Sequence, residues 1–182
     1  DKKLYHISTL SVSGNSFDST IIQQNTEDLK YFTEKSLYIG QSLENVYVRS
    51  KFEAECLVLD AILDGLDAYI LRVGNLMPRA KDGIFQENIS ENAFITRIAE
   101  FIKIGVIPNS LLEDYLEFTP VDTISTAIIK SITHPSKDCL ILHLFNHNHV
   151  YINKCIKYFK LVNPDLKIVT EEDFKKHVKK LL

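Results

Sequence analysis

The sequence predicts an α/β fold, part of a parallel, doubly wound sheet with flanking helices. Residues 4–8 and 69–73 read as apolar strands, with one long helical pattern between them. Strand, excursion, helix, strand is a βαβ unit, which crosses over right-handed in a parallel sheet. A third buried strand is predicted over residues 140–145, again after a helical stretch.

Each element has its own signal. Leu4-Tyr5-His6-Ile7-Ser8 is a short strand, and Thr9-Leu10-Ser11-Val12-Ser13-Gly14 leaves its carboxyl end. Ligands of open α/β sheets bind beyond such ends, so the hydroxyls of Ser8, Thr9, Ser11 and Ser13 stand where chemistry occurs. The same residues also suit a plain Ser/Thr-rich turn. Residues 15–41 are polar and poorly periodic, a long surface excursion with one short helix around residues 26–34. From a polar cap within residues 42–45 to Leu63, Val48, Phe52, Cys56, Leu59 and Leu63 form the apolar stripe of an amphipathic helix. Asp64-Gly65 closes it, glycine supplying the left-handed cap. Ala68-Tyr69-Ile70-Leu71-Arg72-Val73 is the next strand, and Gly74-Asn75-Leu76-Met77-Pro78 leaves its end.

A polar turn at residues 79–83 leads into a helix with Phe94, Ile98, Phe101 and Ile102 on its apolar side, ended by Gly105 and Pro108. After a short extended piece at residues 117–120, a helix runs to about Ile132 with Asp122 as its N-cap. His134-Pro135-Ser136 breaks it before the third strand. A helix over residues 151–161, a short strand over 166–169 and a final helix complete the chain. Thr170 and Asp173 form a capping box for that last helix.

Composition narrows the function classes. At 182 residues, 45% hydrophobic and 25% charged, the chain can bury one sizeable core. A net charge of -3 and the lack of an aromatic-plus-basic array give no basis for nucleic-acid binding. Residues 151–182 carry eight Lys against four acidic residues, +4 against -7 elsewhere, which reads first as a solvated helix face and second as a docking patch. Cys56, Cys139 and Cys155 form no CxxC, which fits a reducing compartment and a cytoplasmic location. No apolar run approaches the roughly 18 residues that span a membrane, so no membrane partner is expected. There is no GxSxG, and a serine hydrolase is not expected. His143, His147 and His149 cluster after a strand, but a metal wants three or four converging ligands, and a solvated loop is the default.

Two tyrosine–lysine pairs, Tyr31/Lys35 and Tyr47/Lys51, are spaced four apart. On a helix each pair would share one face. An ammonium beside a phenol stabilises phenolate and suits the tyrosine to proton transfer. Spacing alone does not choose between the pairs. Context favours Tyr47, because a capped helix and then a strand follow it. After Lys35, Ser36-Leu37-Tyr38-Ile39-Gly40 reads as extended and turning, which leaves Tyr31 and Lys35 on the surface.

Four segments occur in order: Ser8-Thr9-Leu10-Ser11-Val12-Ser13-Gly14, Tyr47-Val48-Arg49-Ser50-Lys51-Phe52-Glu53-Ala54-Glu55, Arg72-Val73-Gly74-Asn75-Leu76 and Glu117-Phe118-Thr119-Pro120-Val121-Asp122. Together they resemble the second half of an extended short-chain dehydrogenase/reductase. More narrowly, they resemble the thioester reductase domain that ends many nonribosomal peptide synthetases. The 38 positions from Thr9 to Tyr47 suit that branch, which carries an insertion here; most extended members have an interval nearer the 22 that would reach Tyr31. The resemblance implies that Thr9, or Ser8 one place earlier, hydrogen-bonds the substrate carbonyl. It implies that Tyr47 donates a proton, and that Lys51 holds the nicotinamide ribose and stabilises the Tyr47 phenolate. Gly74, Asn75 and Leu76 would line the nicotinamide. It further implies NADPH as cofactor and, as partner, a phosphopantetheine-bearing carrier protein loaded with an acyl or peptidyl thioester.

A dinucleotide site also needs a Gly-rich turn, where backbone N–H groups meet the pyrophosphate. The six glycines, at 14, 40, 65, 74, 83 and 105, are scattered and form no such motif. Residues 1–182 are therefore expected to be one domain fragment, with a cut end at Asp1 and the Gly-rich first half absent. The parent would be an NADPH-dependent thioester reductase, and the fragment alone inactive. Its open strand edge over residues 4–8 invites a homo-oligomer. Two other readings stand: an NAD-dependent sugar epimerase or dehydratase of the same superfamily, and a non-catalytic module whose basic end docks a carrier protein.

Overall fold

The computed structural model describes residues 2–14, 32–135 and 139–181. In chain order its strands and helices are β1 (Leu4–Thr9), α1 (Val46–Leu63), β2 (Ala68–Val73), β3 (Leu76–Met77), α2 (Ala93–Ile104), β4 (Val106–Pro108), β5 (Tyr115–Leu116), β6 (Thr119–Pro120), α3 (Val121–Thr133), β7 (Ile141–Leu144), β8 (Val150–Tyr151), α4 (Ile152–Val162), β9 (Lys167–Val169) and α5 (Glu171–Leu181). They divide into two compact units, residues 1–76 with 121–145, and residues 77–120 with 146–182. No helix among the described residues is long and apolar enough to cross a membrane.

The first unit holds a three-stranded parallel sheet in the order β1-β2-β7. All six residues of β2 are buried, as befits a central parallel strand covered on both faces. Ile70 and Leu71 are wholly enclosed, each burial contributing about 1.5–3 kcal/mol. Thr9 pairs with Val73, and Val73 with Leu144, so the three strands end together at one edge. Successive strand residues face opposite sides. On one side Ser8 meets Glu55 of α1; on the other Tyr5 donates to the Ile132 carbonyl of α3 at 3.3 Å and stacks on Tyr69. Helices thus cover both faces, the doubly wound arrangement that the sequence predicts. Among the described residues β1 pairs with β2 alone, and its Leu4 and Ile7 are exposed.

Helix α1 starts and stops where its sequence dictates. Asn45 is extended, and its side chain accepts from the Val48 N–H at 3.2 Å. At the other end Gly65 adopts φ +99°; its N–H donates to the Ile62 carbonyl while Leu66 N–H donates to Ala61, a Schellman closure. The predicted stripe is corrected at one end. Val48 is buried, but Leu63 is 85% exposed and the enclosed residue of the middle turns is Glu55. The helix is rotated so that Glu55 sits over Arg72, because a paired charge can occupy the core face. Asp122 is likewise not the N-cap of α3. The helix begins at Val121 directly after Pro120, and Asp122 lies in its first turn, accepting from the Thr123 N–H at 3.0 Å.

The second unit is built from short pieces. β4 pairs parallel with β9, and β5 antiparallel with β8. Asn92 caps α2 through the Ile95 N–H, and Gly105 in the left-handed region ends it. Asn163 then donates to the Ile102 carbonyl at 2.7 Å, and the Lys167 N–H to Gly105, which seats β9 beside β4. The Thr170–Asp173 capping box is present, with Asp173 N–H donating to Thr170 Oγ1 at 3.2 Å. Met77, Val106, Ile107, Cys155 and Leu166 are among the buried apolar residues of this unit.

Gly14 has φ +68° and ψ 169°, a region that only glycine enters freely, and an added Cβ would lie 2.9 Å from the Cβ of Gln41. Gly14→Ala is expected to cost about 1–3 kcal/mol. A lowered urea midpoint at unchanged slope would show it.

Candidate active site

The site candidates gather where the parallel strands end. Thr9 is the last residue of β1 and caps the short 3-10 turn Leu10–Ser13. Its hydroxyl accepts from the Ser11 N–H and donates to Ser11 Oγ, both at 3.2 Å. Gly74 follows β2 and donates its N–H to the Leu144 carbonyl at 3.0 Å, so Gly74, Asn75 and Leu76 leave the same edge as Thr9. Tyr47 stands in the first turn of α1 with 54% of its surface exposed. One turn on, Lys51 Nζ donates to the Ile7 carbonyl at 3.2 Å. An ammonium has three donors; among the described residues this is its only recorded hydrogen bond. The helix carrying Tyr47 and Lys51 is therefore fastened two residues before Thr9.

Ser8 takes a different part from Thr9. It is 4% exposed, and its hydroxyl donates to Glu55 Oε1 at 2.5 Å. Glu55 in turn receives Arg72 Nε at 3.1 Å on each oxygen and Arg72 Nη2 at 2.7 Å. The rest of the Arg72 guanidinium serves the Thr33 carbonyl at 3.3 Å, the Ser36 carbonyl at 2.9 Å and His143 Nε2 at 3.3 Å. Phe32 lies over the guanidinium, 4.6 Å from ring centre to Cζ, and stacks parallel to His143. Sequence reasoning missed this cluster. Two signals were available: an arginine inside an apolar strand, and a glutamate four positions after Lys51 on the same helix face.

Of the other tyrosine–lysine pair only Lys35 is among the described residues. Lys35 lies in a turn, its N–H bonded to Thr33 Oγ1, and Tyr31 falls outside the described residues with most of the helix expected around 26–34. The histidines also part: His143 bonds Arg72 in the first unit, whereas His149 stacks on Tyr115 at 4.2 Å in the second. Among the described residues no three His, Cys, Asp or Glu side chains are grouped to hold a metal.

Burial pushes His143 below the ordinary imidazole value; the nearby Glu34 carboxylate opposes the shift and Arg72 adds to it. Burial lowers His6 too, helped by Lys51 and opposed by Glu55.

A parallel sheet with helices on both faces, and a Tyr-x3-Lys helix at its carboxyl edge, define a class: Rossmann-like, nicotinamide-binding enzymes of the extended short-chain dehydrogenase/reductase type. The family described as male sterility protein, an NAD-binding family, matches residues 1–128, and the chain belongs to it. Among curated proteins it is similar to L-2-aminoadipate reductase of Schizosaccharomyces pombe, 26% identical over 116 residues, 63% of this chain and 8% of that one. Among solved structures it is similar to a thiolation-reductase di-domain from an archaeal non-ribosomal peptide synthetase. That match has 31% identity and a TM-score of 0.84, over 98% of this chain and 37% of that chain. The reductase domain of the aureusimine biosynthetic cluster matches at 29% identity and TM-score 0.78, over 98% and 45%. The chain thus spans less than half the length of each of these relatives.

The histidines set a pH dependence. A group with a lowered basic pKa resists in the fold a proton that it accepts when unfolded. Its stabilisation is whole above 6.5 and is lost as pH falls below that value, at up to about 1.4 kcal/mol per pH unit and group. The thermal midpoint should fall between pH 7.5 and 5.5, and His143→Gln, which keeps an acceptor for Arg72, should make that fall shallower. Identical slopes in melts of the two proteins would contradict the assignment.

Proposed function

We propose that this chain is the proton-donating half of a reductase domain that releases a carrier-bound acyl or peptidyl thioester. The observation that carries the reading is the shared edge: Thr9 ends β1, Gly74 follows the neighbouring β2, and α1, fastened to β1, carries Tyr47 and Lys51. Likeness to the archaeal thiolation-reductase di-domain supports the thioester over a sugar nucleotide. The dehydratase and epimerase structures that match do so at 17% and 14% identity, a likeness of fold alone.

The residues present fit one end of a nicotinamide cofactor. Among the described residues Lys51 has donors to spare for ribose hydroxyls, and Gly74 offers backbone without a side chain. They do not include a Gly-rich cradle for the pyrophosphate, so NADPH is assigned to a domain completed by a further segment. The cofactor supplies a hydride. Thr9 Oγ1 turns from Ser11 to the thioester carbonyl oxygen and orients it. As the carbonyl carbon becomes tetrahedral, its oxygen gains negative charge, and donors aimed there are worth a few kcal/mol each. Tyr47 gives that oxygen its phenolic proton, and Lys51 stabilises the phenolate left behind. The hemithioacetal then loses its hydroxyl proton, the C–S bond breaks, and aldehyde and carrier thiol separate. A second reduction of the aldehyde would give an alcohol.

In a protein that includes the nucleotide-binding segment, Tyr47→Phe should lower thioester turnover by about 10²–10⁴-fold, the usual size of a general acid's contribution. Its melting temperature should not move, because the ring is half in solvent. Wild-type NADPH consumption by the variant would refute the assignment.

A further inference from the structure

Among the enclosed polar groups that the catalytic reading leaves unused, three are joined to one another: the Ser8 hydroxyl, the Glu55 carboxylate and the Arg72 guanidinium, the last two fully buried. Stability gives little reason for them. A buried ion pair often contributes no more than apolar residues of the same volume. Geometry gives a better one. All five guanidinium hydrogens have acceptors: two directions reach Glu55, and the others reach the Thr33 and Ser36 carbonyls and His143. Arg72 therefore cannot turn without losing a buried bond, and it fixes the plane of the Glu55 carboxylate. That carboxylate holds Ser8 at 2.5 Å. One helical turn earlier, Lys51 holds the carbonyl of Ile7.

Helix α1 is thus tied to β1 at the two residues that precede Thr9, by side chains that lie one and two turns after Tyr47. We propose that Ser8 and Glu55 are positioning residues, which set the register between the helix bearing Tyr47 and Lys51 and the strand bearing Thr9. The proposal rests on the catalytic roles given above to those three residues. Arg72 acts through Glu55, keeping its carboxylate oriented. Neither Ser8 nor Glu55 touches the substrate. Their effect is on how well two proton donors meet one oxygen, and misplacement by about 1 Å can cost 10²-fold in rate.

The test is made in the complete reductase, with Tyr47→Phe as a parallel control. Ser8→Ala removes the tie and leaves Glu55 paired with Arg72. Its kcat is expected to fall about 10–100-fold, with KM for the thioester within threefold and an almost unchanged melting temperature. Ser8→Thr, which restores a hydroxyl, should recover most of kcat, a rescue that a general loss of packing would not show. Should Ser8→Ala fail to fold, Ser8→Cys, of similar shape and a poor donor, takes its place with the same expectation. Wild-type kcat in the variant lacking the hydroxyl overturns the proposal. So does a loss as deep as that of Tyr47→Phe, which would make Ser8 itself a reacting group. If Tyr47→Phe keeps full activity, the catalytic reading fails first and separately.

Discussion

The first unit is organised by one constraint: a guanidinium with no access to water must find five acceptors. Arg72 projects from the central strand, where every neighbour along the chain is apolar and buried. An unpaired charge there would cost several kcal/mol. The fold answers from three segments. Helix α1 turns Glu55 inward, β7 offers His143, and the segment after residue 31 folds back to present two carbonyls. The rotation of α1, which exposes Leu63 and encloses Glu55, follows from that demand. So does the facing of Tyr47 and Lys51, since they lie eight and four positions before Glu55.

The same demand reaches the turn after Thr9 by a second path. Held at Thr33 and Ser36, the chain runs on to Gln41, which is 2% exposed. Gln41 donates to the Val12 and Leu37 carbonyls and accepts from the Ile39 N–H, so it closes the loop on itself and pins it to the turn. Gly14 has to be glycine at that contact, because there is no room for a Cβ. The loop over 32–41 is therefore clamped at one end by a charge and at the other by an amide. The hydroxyl of Thr9 lies in the turn that both clamps support.

What was legible in the sequence is what local chemistry dictates. The three strands, the polar cap within residues 42–45, the Gly65 cap and the Thr170 box each announce themselves within a few residues, and the structure has Thr9 at the end of β1, Tyr47 in the first turn of α1 and Gly74 just after β2. The Glu55–Arg72 pair was not legible, because reading hydrophobic period assigns charges to the outside, and only a partner 17 positions away makes one belong inside. Strands of two or three residues, such as β5 and β8, leave no period to read. Asp122 shows the limit of a single cap signal: Pro120 ends the strand and the helix starts at once, one residue ahead of the side chain suited to cap it.

The distribution of donors argues for a division of labour within such a reductase. Reduction of a thioester needs a proton at oxygen and a hydride at carbon. On the reading proposed above, the Thr9 and Tyr47 hydroxyls and the Lys51 ammonium serve the first need. None of the scattered glycines forms a cradle of backbone donors for a diphosphate. The two needs also differ in tolerance. A cradle can hold its anion through many weak contacts, whereas proton transfer fails with a small error in one distance. A half that carries the intolerant step has reason to spend a buried, fully satisfied arginine on rigidity. That explains why the most elaborate hydrogen bonding in this unit stands directly behind Thr9, one layer away from the chemistry.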